Sequence, residues 1–143
     1  MDLDQAIQSD GCAGRSRQLL RRAIGLHVED VAKMGVGAVI EKARSVIASG
    51  PTYVTFDVDG IDPGFAPGTG TPEVGGLTPR EALAILRGLA GLHVVGGDVV
   101  EVAPQYDATT NTAQVGAQCL FELLCLVAID KRQRRATVDN AAR

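Results

Sequence analysis

The chain has 143 residues, 45% of them hydrophobic and 22% charged, with a net charge of −3, which fits one globular domain with its own core. The acidic balance argues against a nucleic-acid partner, because phosphates call for a basic surface. No uninterrupted run of ~18 apolar residues occurs and the acidic start lacks an apolar stretch, so neither a membrane span nor a signal peptide is expected.

In chain order, residues 1–17 show no periodicity and are expected to be poorly ordered. Arg15–Arg22 interleaves four arginines with Leu19 and Leu20 and reads as a short solvated helix rather than an anion site. Ile24–Val31 reads as a short strand, and His27 within it as a packed or surface residue rather than a ligand. Val36–Ala48 predicts a helix, with Val39, Ala43, Val46 and Ile47 on one face. Ser49-Gly50-Pro51 stops it.

Tyr53–Phe56 is apolar and partly β-branched, and predicts a buried strand over 52–57. A loop full of Gly and Pro spans 58–77. Thr78-Pro79-Arg80-Glu81 starts a helix: Thr as N-cap, Pro at the first position, Glu placed for a capping box. Ala82, Ile85, Leu86 and Leu89 form its buried stripe. His93–Val102 is the next strand, with 94–101 expected to lie parallel to 52–57.

Asn111 or Thr110 caps a last helix over 111–128, with Gln114 placed to reach back. Ala113, Ala117, Leu120, Phe121, Leu124, Val127 and Ala128 make its stripe, widened by Leu123 and Leu126, so it is expected to be well buried. Asp130–Arg143 is charged and reads as a tail, leaving 18–129 as the domain. Strands alternating with capped amphipathic helices give an α/β fold class. Cys12, Cys119 and Cys125 are odd in number without metal-ligand spacing, which suggests a reduced, cytoplasmic setting.

The chemistry concentrates where the strand 52–57 meets its loop. Asp57 and Asp59, two residues apart on an extended chain, point to one side. Carboxylates packed together need a cation or a proton, and a hard divalent metal would serve. The plainer alternative is that Asp57, Asp59 and Asp62 cap turns. A calcium loop of the EF-hand kind fits badly, with Ile61 at a ligand position and no closing Glu. Gly68-Thr69-Gly70 lies too far beyond the strand for a phosphate cradle, and Pro72 removes a donor, so this loop reads as a shaped wall. Glu101 stands at the carboxyl end of the second strand, hence on the same rim as Asp57.

The run FDVDGIDPGFAPGTGTPEVGGLT (Phe56–Thr78), with GDVVEVAPQYD (Gly97–Asp107) and NTAQVGAQCLFELL (Asn111–Leu124), resembles the ureohydrolase family of arginases, agmatinases and related amidinohydrolases. Its APGTGTPE wording is similar to the agmatinase and guanidinobutyrase branch. The resemblance implies part of a three-layer α/β/α parallel-sheet, arginase-like fold whose N-terminal half is missing. It implies an enzyme with two Mn2+ ions that hydrolyses a small guanidino substrate to urea and an amine. It also implies a homo-oligomer for the full-length family.

By the same resemblance, Asp57 and Asp59 are metal ligands and Glu101 binds the substrate guanidinium. Asp62 with Pro63 reads as a turn former, and Asp98 as facing away from Glu101. Two further family segments, of Gly-Gly-Asp-His and Asp-Ala-His-x-Asp type, have no counterpart, and neither His27 nor His93 sits in their context. The chain alone is therefore expected to be inactive. Two alternatives stay open: a degenerate, non-catalytic ureohydrolase-like subunit, and a haloacid-dehalogenase-type phosphatase suggested by Phe56–Gly60.

Overall fold

The structure, a computed structural model, describes residues 25–47 and 49–141. The expectations for residues 1–17, for Arg15–Arg22 and for Cys12 lie outside those residues. The elements are α1 (Val28–Met34), α2 (Val36–Ile47), β1 (Thr52–Asp57), α3 (Pro79–Gly88), β2 (Val94–Val100) and α4 (Asn111–Ala141). Short 3-10 turns follow each strand at Val58–Gly60 and Pro104–Tyr106.

β1 and β2 pair in parallel, from Thr52 opposite Val94 to Asp57 opposite Val100, with α3 as the crossover. Val95 is an extra residue between the first two pairs and bulges β2. The bulge resets the alternation of faces. Val54, Phe56 and Val99 pack toward the helices, and Gly97 lies against Leu123. Tyr53, Thr55 and Asp57 fall on the other face with Gly96 and Asp98. Among the described residues that second face is open, with Tyr53 61% exposed. The described residues thus show the parallel sheet and the helical layer on one side of it.

The core between sheet and helices is Leu86, Leu89, Leu92, Val94, Cys119, Leu123 and Leu126. Each fully buried aliphatic side chain there contributes ~1.5–3 kcal/mol of transfer free energy. Cys119 belongs to this core, and burial pushes its thiol up to about 11, so it is an inert apolar filler. α3 begins as its sequence demands. Thr78 Oγ1 accepts from the Glu81 N–H at 3.2 Å, and Glu81 Oε2 accepts from the Thr78 N–H at 2.8 Å.

Three expectations are corrected. The strand expected over 24–31 is a helix from Val28, closed at its start by Asp30 accepting from the His27 N–H at 3.0 Å. Val28, Val31 and Met34 are spaced three apart, a helical period that the β-branched content obscured. The segment from Asp130, expected as a charged tail, continues α4 as a helix to Ala141.

The third correction concerns which side of α4 is buried. The buried line is Thr112, Gly116, Cys119, Leu123, Leu126 and Asp130, whereas Ala113, Ala117, Leu120, Phe121, Leu124 and Ala128 are exposed. Both lines have helical spacing, so periodicity could not choose between them. Partners make the mixed line tolerable: Glu122 pairs with Arg87 at 2.6 Å, and Asp130 lies 3.1 Å from His93. By length and composition alone α4 could cross a membrane, but here it lays one side on the sheet.

Candidate active site

Asp57 ends β1 and Glu101 follows the last residue of β2, so the parallel pairing sets both on one rim. The loop between Gly60 and Leu77 is closed at its base. The Leu77 N–H donates to Gly60 O at 2.8 Å, and the Asp62 N–H to Leu77 O at 3.0 Å. Gly76 sits in this closure, where a Cβ would stand 2.6 Å from Asp62 N, so only glycine allows the backbones to approach. Asp62 braces the same base, accepting from the Gly64 and Gly75 N–H groups at 2.8 Å each. Those bonds, Gly64 first, hold its carboxyl below the usual range. Asp62 is a loop former, as the sequence indicated.

The crown of the loop is pinned to the start of α4. The Gly68 N–H donates to Thr112 Oγ1 at 2.7 Å, and Gly68 O accepts from the Ala103 N–H at 2.8 Å. Asp107 organises the same junction, accepting from the Thr112 N–H at 2.7 Å and from the Thr109 hydroxyl at 2.6 Å. The Thr109 and Thr112 bonds drive its carboxyl well below the ordinary range. Asp107, rather than Asn111 or Thr110, therefore supplies the side-chain acceptor for an amide in the first turn of α4, that of Thr112. Gln114 does reach back, to the Thr110 hydroxyl at 3.3 Å.

The paired aspartates are placed differently from expectation. Val58–Gly60 is a 3-10 turn, so strand alternation does not align Asp57 with Asp59. Instead Asp57 Oδ1 caps the turn, accepting from the Asp59 N–H at 2.9 Å. The turn-capping alternative is thus correct for part of the function of Asp57. Asp59 accepts from the Thr71 hydroxyl through Oδ2, and its Oδ1 is buried with no partner among the described residues. A buried, unpartnered carboxylate oxygen beside a second carboxylate fits a hard cation. Asp57 and Asp59 are the residues here that could hold a metal. Among the described residues no three His, Cys, Asp or Glu side chains form a metal-holding group.

Glu101 is exposed and takes φ 63°, a left-handed conformation that a non-glycine residue holds at a cost of order 1 kcal/mol. Its Oε2 lies 3.9 Å from where a Cβ on Gly70 would stand, so the loop crown approaches it. Because β2 ends at Val100, alternation does not carry through to Glu101. Asp98, expected to face away from Glu101, lies on the same open face as Asp57, accepting from the Thr55 and Tyr53 hydroxyls. The Asp98 contact raises the Tyr53 pKa.

Sequence reasoning missed Thr71, which holds Asp59, and Thr69, whose buried hydroxyl has no partner among the described residues. It also missed the Gly68–Thr112–Asp107 anchor. The repeated Gly-Thr pairs were a signal of close approach, but not of what is approached.

A family model described as the arginase family matches residues 12–126. Guanidinopropionase from Pseudomonas aeruginosa is 56% identical over 103 residues, 72% of this chain and 32% of that protein. The mitochondrial agmatinase of Gallus gallus is 57% identical over 86 residues, 60% of this chain and 25% of that one. The crystal structure of a hypothetical agmatinase from Burkholderia thailandensis superposes with a TM-score of 0.71 at 48% identity, covering 79% of this chain and 34% of that chain. The chain thus spans about a quarter to a third of the length of these relatives, and the fold is arginase-like. The phosphatase alternative drawn from Phe56–Gly60 is overturned, since the match runs through β1, the loop, β2 and most of the core part of α4. The chain belongs to the arginase family.

Proposed function

We propose that this chain carries the guanidinium-binding carboxylate and two metal-ligand carboxylates of a manganese-dependent amidinohydrolase. The substrate is a small guanidino compound of the agmatine or guanidinobutyrate kind. The observation that carries the reading is the buried Oδ1 of Asp59, without a partner among the described residues, beside Asp57 on the rim that also bears Glu101. In the reaction, water adds to the guanidinium carbon, the C–N bond to the substrate's amine breaks, and urea and a protonated amine leave. Bound manganese supplies a water acidic enough to act as nucleophile near neutral pH.

The residues of this chain do the holding. Asp57 and Asp59 contribute hard oxygen ligands, with Thr71 keeping Asp59 in one rotamer. Glu101 accepts paired N–H donors from the planar guanidinium, which aligns the carbon for attack. The loop crown, anchored through Gly68, forms the wall beside that carboxylate. The full-length family context implies a homo-oligomer, and the cysteine usage a cytoplasmic setting.

Two carboxylates are fewer than a two-metal centre needs, so the chain by itself should release no urea from agmatine or 4-guanidinobutyrate with manganese present. Joined to an N-terminal arginase-family segment that supplies the remaining ligands, it should turn over, and Asp59→Asn and Glu101→Gln should abolish that turnover. Urea production by the 143-residue chain alone, abolished by Asp57→Ala, would overturn this division of ligands. The second reading is a non-catalytic subunit. It requires that the joined protein stay inactive while manganese binds no tighter than to Asp59→Asn.

A further inference from the structure

A second concave, charged site lies at the opposite end of the sheet. His93 immediately precedes β2, so it stands ~20 Å from the Asp57–Glu101 rim along a seven-residue strand. There a cleft of about 620 Å3 opens between the end of α2, the turn into β2 and the second half of α4. Arg44, His93, Asp130, Gln133, Arg134 and Thr137 line it.

The floor is ordered. The Asp130 side chain is only 10% exposed, with His93 Nδ1 at 3.1 Å and the Arg134 Nε–H donating at 2.9 Å. Arg44 donates through Nη1 to Gly88 O at 2.8 Å and Ala90 O at 3.0 Å, closing the end of α3. These bonds hold each guanidinium by one edge. Among the described residues, Arg44 Nη2, both Nη groups of Arg134 and His93 Nε2 make no hydrogen bond to protein. With His93 neutral, Arg44 and Arg134 against Asp130 leave a formal charge of +1. Guanidinium groups held by one edge, with the other edge facing a concave and positive space, suit an oxyanion, whose two or three oxygens accept from planar forks.

We propose that this cleft binds a small molecule through a phosphate or carboxylate group, at a site separate from the rim. The bound oxyanion accepts from Arg134 of α4 and from Arg44 of α2. It thereby ties the otherwise exposed second half of α4 to α2, and stabilises the folded chain in proportion to its concentration.

Ligand-observed NMR at constant ionic strength in chloride tests this on the 143-residue chain, and it tolerates any assembly state. Inorganic phosphate and acetate are titrated separately, and circular dichroism checks that each variant keeps its helix content. Saturable broadening of either ion is expected, and which ion saturates identifies the group the cleft takes. Arg134→Gln should weaken binding about tenfold, the loss of one charge-assisted contact. Arg134→Lys, which keeps the charge but not the fork, should fall between. Arg132→Gln, outside the cleft, should leave affinity within about twofold, as for an exposed charge without a specific contact. No saturable binding of either ion, or equal weakening by Arg132→Gln and Arg134→Gln, would overturn the proposal.

Discussion

Replacing Gly68 with alanine is expected to loosen the rim without changing any of its carboxylates. The new Cβ would stand 2.7 Å from Asp107 Cβ, 2.9 Å from Thr112 Oγ1 and 3.1 Å from Thr112 Cβ. Two of those atoms are Cβ atoms fixed by the backbone, so no side-chain rotation relieves them. Overpacking of this kind costs ~1–3 kcal/mol. The displaced loop also loses the bond from the Gly68 N–H to Thr112, at a further ~0.5–1.5 kcal/mol. The sum, about 1.5–4.5 kcal/mol, is a large share of the ~5–15 kcal/mol that holds a domain together. With a urea slope of ~2 kcal/mol/M, the unfolding midpoint should fall by about 1–2 M. Amide exchange over residues 66–71 should quicken by more than in the core strands, because the loop crown is released first. A midpoint within ~0.3 M of the parent chain, with unchanged exchange in that loop, would refute the anchoring argument.

Leu123, 2% exposed and central to the core, should cost ~2–5 kcal/mol on truncation to alanine, read from the urea midpoint. Gly37→Ala should instead stabilise by ~0.5–1 kcal/mol, since a Cβ there meets nothing within 4 Å and α2 gains helix propensity; a lower melting temperature would contradict it. Leu120, Phe121 and Leu124 stand 50%, 57% and 65% exposed on the outer side of α4. The isolated chain should therefore self-associate, and Phe121→Lys with Leu124→Lys should suppress it; a monodisperse parent monomer in analytical ultracentrifugation would count against this. Backbone amides hold the Asp62 and Glu81 carboxyls low, Gly64 for the first and Thr78 for the second, and the Thr109 hydroxyl does so for Asp107. The unfolded chain binds those protons more readily, so their stabilisation is complete above the ordinary carboxylate range and is lost as pH falls below ~4 toward the lowered values. The urea midpoint should hold steady near neutrality and drop in acid, and Asp107→Asn should flatten part of that drop.

The elements legible in the sequence were those whose signals are local. β1 over Thr52–Asp57 and the capping box of α3 at Thr78 and Glu81 are written into adjacent residues, because a run of apolar side chains or a cap acts within one turn. The rim followed too, since two parallel strands set their carboxyl ends together. The helix at Val28–Met34 was misread because seven residues bear little periodic information and β-branched content points the other way.

What local signals could not carry was decided by contacts between distant segments. α4 has two sides of helical spacing, and the packing of Cys119, Leu123 and Leu126 against Leu86, Leu89 and Val94 selects the buried one, where Arg87 and His93 pair with Glu122 and Asp130. The Val95 bulge put Asp98 on the same face as Asp57, a register set by β1 and invisible from β2 alone. The site divides in the same way. Sequence by itself placed Asp57 and Asp59 where β1 meets its loop and Glu101 on the same rim, and their roles as metal ligands and guanidinium carboxylate came from the resemblance to the ureohydrolase family, not from spacing. Only the tertiary structure put Thr71 on Asp59, left one Asp59 oxygen buried without a partner among the described residues, and tied Gly68 to Thr112 across 44 residues. Those contacts depend on where the chain returns in space, which a hydrophobic pattern constrains only through the packing it allows.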